Sequence, residues 1–194
     1  MFKVPRKLGL AIGILAVVEF TVLYVVAMSL DPNYTFGENY LSDLGVGPGA
    51  WAFNSALIVT GVLLSCFALF GLAGPLAVHS SGRAAVALLA IDGIILVGVG
   101  VFPEDVKPYH YIFSVAFFLT FLLVAIVMTV AFYRTRVLGN LGTIVSGIAT
   151  VFGMLLLPMG GDPLSETMAV MAIIGWGVVI ASAFLAKEYG KTIP

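Results

Sequence analysis

Six apolar runs, each near twenty residues, alternate along the chain with short polar breaks: 8–28, 51–72, 84–102, 111–133, 141–157 and 168–186. A bilayer core of about 30 Å takes ~20 residues of helix, so each run is long enough to cross it. Backbone N–H and C=O groups find no water in lipid and must be bonded inside the segment. Helices achieve this, whereas barrel strands would be half as long and would alternate in polarity. The pattern predicts an all-α polytopic membrane protein, a six transmembrane helix bundle forming one domain over 1–194. Lys3, Arg6 and Lys7 imitate the start of a secretory signal. A signal core is only ~7–15 residues, so the longer first run is read as a membrane helix.

Composition narrows the class further. The chain is 61% hydrophobic and 10% charged, against ~25% charge in an ordinary soluble domain, which excludes a water-covered globule. Net charge is −1, so no global field is present to hold nucleic acid. The single cysteine, Cys66, lies in an apolar run and has no partner for an internal disulfide. Of the nine Lys and Arg residues, only Lys107 falls on the side opposite the termini. Cytoplasmic loops are enriched in these cations, which predicts cytoplasmic termini and a multi-pass protein of the cell membrane. Seven of the ten acids (Asp31, Glu38, Asp43, Glu104, Asp105, Asp162 and Glu166) lie in the three opposite loops.

One of those loops is unlike the rest. Residues 31–50 are rich in Gly, Pro and turn formers, yet they include Tyr34, Phe36, Tyr40, Leu41 and Leu44. So long a segment with apolar side chains is expected to fold back on the helices as a lid or cap. Glycines in the third run (Gly93, Gly98, Gly100) and the fifth (Gly142, Gly147, Gly153) predict close helix packing. Trp51, Tyr109, Tyr111, Tyr133 and Tyr189 stand near span ends, where amphipathic rings anchor at the headgroups.

Two sets of polar residues need a reason. Glu19 and Asp92 each lie about ten residues from the outer end of a span, or ~15 Å at the helical rise, which is the bilayer midplane. Such intramembrane carboxylates face the bundle interior, and Thr60, Thr120, Ser146 and Thr150 are available partners at that depth. They read either as a proton or cation site or as acids bonded between helices. The second set is at the outer mouth. His110 opens the fourth run, Ser114 is one turn on, and Ser42, Asp43, Asn54, Glu104 and Asp105 fall at similar depth. Asp43 and His110 are the candidate catalytic pair, as acid/base or metal-coordinating groups. Ser42, Asn54, Glu104 and Asp105 are candidate substrate-binding groups. A polar cap closing the bundle is the competing reading. One histidine with scattered acids is not a zinc signature, so metal and cofactor stay undetermined.

Several of these residues also carry a resemblance. Tyr40-Leu41-Ser42-Asp43-Leu44-Gly45, Phe53-Asn54, Gly61, the segment Gly98-Val99-Gly100-Val101-Phe102-Pro103-Glu104-Asp105 and His110 resemble a family of archaeal and bacterial six-helix membrane proteins, of the domain of unknown function 998 type. The resemblance implies six spans and no activity. That family is distantly similar to eukaryotic six-helix proteins implicated in GPI-anchor lipid remodelling and autophagy. It also looks like membrane hydrolases holding zinc with three histidines, Asp and Ser, a pattern this chain lacks on the relevant face. The resulting expectation is binding or modification of a lipid or isoprenoid headgroup at an outer-leaflet polar site, by a membrane-embedded hydrolase or transferase if it is an enzyme. The alternatives are a small proton- or cation-coupled transporter or channel using the midplane carboxylates, and a structural membrane subunit. Membrane lipids are the expected partners, and a homo-oligomer is compatible with the sequence.

Overall fold

The computed structural model describes residues 5–159 and 161–190; Lys3 and Lys191, two of the cations counted above, lie outside the described residues. Among the described residues six helices are long and apolar enough to cross a membrane: α1 (Arg6–Leu30), α2 (Ala50–Leu76), α3 (Ser80–Val101), α4 (Tyr109–Thr135), α5 (Leu141–Met159) and α6 (Pro163–Gly190). No strand is present among the described residues. Each apolar run coincides with one helix, apart from Phe102, which follows α3 as its C-cap. The start of α6 comes earlier than the apolar run. Asp162 accepts the Ser165 N–H at 2.7 Å, and Pro163 takes the first helical position, where its missing N–H costs nothing.

Short connections make sequence neighbours into spatial neighbours. Each helix packs on the next in chain order, and α6 returns to α1 to close the ring. The α2–α3 contact is the tightest because glycines face each other across it. A β-carbon on Gly93 would lie 2.5 Å from the Gly61 carbonyl oxygen, and one on Gly100 would lie 2.8 Å from that of Asn54. Ser65 bridges the same seam, meeting the carbonyls of Gly61 and Ala90 at 3.0 and 2.9 Å. Of the α5 glycines, Gly142 sits tightly on the Phe132 ring and a β-carbon on Gly153 would lie 3.0 Å from the Leu122 side chain, as close packing expects, whereas Gly147 faces only a Thr129 methyl at 3.8 Å. Within α2, Phe67–Leu72 widens to a π-helical turn, where Gly71 and Gly9 let α1 cross close to its backbone.

Two apolar clusters fill the ring. One, toward the termini, gathers Leu10, Phe67, Leu89, Met128, Phe132, Trp176 and Phe184. The other, toward the long loop, gathers Phe20, Tyr24, Phe53, Leu57, Leu96 and Phe117 with Leu41 and Leu44 of the loop itself. Leu41 and Leu44 are 2% and 0% exposed, so this part of the long loop lies folded onto the bundle. A 3-10 turn over Leu41–Gly45 holds them there, its start capped by Asp43, which accepts the Tyr40 N–H at 3.0 Å. Asn54 of α2 donates to the Gly45 carbonyl at 2.9 Å and pins the other end. At the opposite end of the bundle, cations settle among carbonyls and rings: Arg6 pairs with Glu188 at 3.4 Å, Lys187 donates to the Val137 carbonyl, and Lys7 stands over the Tyr189 ring.

Candidate functional site

The loose seating of α5 leaves a cavity of about 610 Å³ between α4, α5 and α6, reaching up to the 31–50 loop. Small residues keep it open: Ala149 and Gly153 on α5, Ala169 and Ala172 on α6. Its two ends differ in chemistry. Phe118, Phe121, Leu122, Phe152, Leu156 and Ile173 make an apolar floor, while Tyr40, Ser42, Glu104, Lys107, His110, Ser114, Ser165 and Glu166 make a polar rim at the loop end.

His110 is the second residue of α4, which brings its ring to the rim. Its Nδ1 lies 2.8 Å from the Phe102 carbonyl oxygen. A carbonyl only accepts, which assigns the ring proton to Nδ1 and leaves Nε2 of the neutral ring as an acceptor. Ser114, one helical turn on, has its hydroxyl 3.2 Å from that Nε2 and donates to it. Both side chains line the cavity.

The carboxylates at and behind the rim come from three separate stretches. Glu166, in the first turn of α6, accepts the Leu41 N–H at 2.7 Å and so ties the loop to a helix 125 residues away. Glu104 lies in the α3–α4 turn and is hydrogen-bonded to Asp43 of the loop. Burial pushes the Glu104 carboxyl above the usual carboxylate range, the bond to Asp43 and its charge push the same way, and His110 and Lys107 pull it part of the way back. Beside this group the Tyr24 and Tyr34 hydroxyls meet at 3.3 Å. Burial chiefly pushes the Tyr34 phenol up, with the Glu166 and Asp43 charges adding to it.

The predicted residues therefore divide. Ser42, Glu104 and His110 line one cavity. Asp43 sits behind them, bonded to the Tyr40 N–H and to Glu104, and Glu104 feels the charge of both Asp43 and His110. Asn54 holds the loop rather than the cavity wall, and Asp105 is exposed in the turn. The midplane pair is elsewhere. Glu19 accepts from the Thr60 hydroxyl at 2.7 Å, while Asp92 is 0% exposed with no hydrogen-bond partner on either oxygen. Neither lines the large cavity, nor the small apolar one of about 90 Å³ among Phe20, Thr60, Phe67, Leu96 and Trp176. Ser146 accepts from the Trp176 indole at 3.0 Å, and Thr150 donates to the Ser146 carbonyl, so these two bond outside the midplane pair. Among the described residues no group of three or more His, Cys, Asp or Glu is arranged to hold a metal ion.

Glu166 and Ser165 are site residues that sequence reasoning did not select. Glu166 stands four residues after Asp162, where an acid suits the helix dipole, so its spacing reads as capping alone. Nothing in the chain pattern links it to Leu41.

The family described as protein of unknown function (DUF998) matches the chain over residues 14–185. No curated protein and no solved structure matches it.

Proposed function

The chain belongs to the DUF998 family of proteins of unknown function, and we propose that it is an integral membrane protein that binds a membrane amphiphile in the cavity between α4, α5 and α6. The observation that carries this reading is the division of that one cavity into an apolar floor and a polar rim. Its volume of about 610 Å³ falls within the ~300–1,000 Å³ of small-molecule sites, room for one hydrocarbon chain and a compact headgroup. Lipid tails are already in an apolar medium, so entering the floor gains little by desolvation. Selection rests on the rim, where Ser42, Glu104, Lys107, His110, Ser165 and Glu166 offer hydroxyls, carboxylates and cations to a headgroup. The cation asymmetry of the loops supports a rim at the outer leaflet of the cell membrane.

Native mass spectrometry of the full chain released from its membranes tests this directly. The expected result is a retained lipid mass in the parent protein and its loss in Ala172→Trp and Gly153→Phe, which fill the floor. Equal occupancy in the parent and in both filled variants, with each still eluting as a folded species, would overturn it. The midplane carboxylates line neither cavity, which leaves the transporter reading without an observation in its favour.

A further inference from the structure

Resting on the amphiphile-binding reading, the geometry points to an ester hydrolase site in which Ser114 is the nucleophile and His110 its general base, acting on an acyl ester held in the same cavity. Three observations bear on it. The Ser114 hydroxyl is 3.2 Å from His110 Nε2, within reach of direct proton transfer. His110 Nδ1 is held by the Phe102 carbonyl at 2.8 Å, which fixes the tautomer that leaves Nε2 basic. Both groups line the cavity just where its polar rim meets the apolar floor, the depth at which an ester joins a headgroup to a chain. The orienting group is a main-chain carbonyl where many such sites use a carboxylate. Glu104 lines the same rim as His110.

Chemically, the Ser114 oxygen adds to the ester carbonyl carbon while its proton passes to His110 Nε2. The C–O bond to the alcohol then breaks, and Nε2 returns the proton to the leaving oxygen, releasing the alcohol and leaving the acyl group on Ser114. Water repeats the sequence: it adds to the acyl carbon, Nε2 takes its proton, and the serine oxygen leaves and recovers that proton. Ester and water become acid and alcohol with no change of oxidation state. Lys107, a cation on the same rim, is the group available to oppose charge on the carbonyl oxygen.

The test is covalent labelling of the full chain in detergent micelles with a long-chain alkyl fluorophosphonate, the modified residue being located by peptide mass spectrometry. Ser114 is the expected site, with fluoride as the leaving group. Ser114→Ala abolishes the label, and His110→Gln and His110→Asn slow it about 100-fold, as loss of a general base does. Ser55→Ala, an exposed hydroxyl on α2 away from the cavity, leaves the rate unchanged. A parent protein that stays unlabelled at Ser114, or a label undiminished in a folded His110 variant, overturns the assignment. Lipid retention measured on the same samples separates failure of the hydrolase assignment from failure of the binding reading, which follows only from equal occupancy in the filled variants.

Discussion

Glu104 and Asp43 are two acids sharing one hydrogen bond across the join between the α3–α4 turn and the long loop. A bond between two carboxyl groups needs a proton, so this one of the loop's several contacts with the bundle depends on pH. Burial first, and Asp43 next, hold the Glu104 carboxyl above its ordinary range. A raised value in the folded state means that the proton's contribution to stability is complete below the unfolded value. It is then lost as pH rises through the raised folded one. Hydrogen exchange over residues 40–45, corrected for the intrinsic pH dependence of exchange, should therefore speed up in a step as pH climbs through that range. In Glu104→Gln, which keeps a bond to Asp43 without a titrating proton, the step should vanish. A step of equal size in the variant would mean that Glu166 and its bond to the Leu41 N–H govern the docking.

Helix-level packing turns on glycines that look alike in sequence and differ in what they face. A methyl on Gly93 would meet the Gly61 backbone at 2.5 Å, and backbone cannot rotate away. Gly93→Ala is expected to force α2 and α3 apart and to cost about 1–3 kcal/mol, as overpacking does. A methyl on Gly147 would meet only the Thr129 methyl at 3.8 Å. Gly147→Ala should be neutral or stabilising by up to about 1 kcal/mol through helix propensity. Thermal unfolding of both variants in one detergent compares them, and an unchanged midpoint for Gly93→Ala would refute the tight seam. The contrast also shows where sequence reading stops. Hydrophobic run length made all six helices legible, because lipid forces each apolar segment to satisfy its own backbone. His110 and Ser114 were legible as a pair, since four residues on a helix make one turn. The cavity beside them was not. It exists because α5 packs through side chains where α3 packs backbone to backbone, and a glycine's spacing does not reveal which neighbour it faces. The Glu166 link to Leu41 joins residues 125 apart and depends on ring closure of the bundle, to which local pattern is blind.

At the level of the whole bundle, charge predicts which leaflet the proposed amphiphile site would face. Arg6, Lys7, Arg83, Arg134, Arg136 and Lys187 sit at the ends of helices on the side of both termini, while Lys107 alone among the described Lys and Arg residues stands at the loop end. Positive segments resist translocation, so the termini side should stay in the cytoplasm and the loop with its cavity rim should face out. Single cysteines at exposed positions, made in a Cys66→Ala background, read this out. Glu38→Cys on the long loop should react with a membrane-impermeant maleimide on intact cells, and Arg136→Cys after α4 only once the cells are permeabilised. The opposite pattern would turn the rim of Glu104, His110, Ser114 and Glu166 toward the cytoplasmic leaflet. The amphiphile would then be drawn from the inner lipids, although the cavity and its two chemistries would be the same.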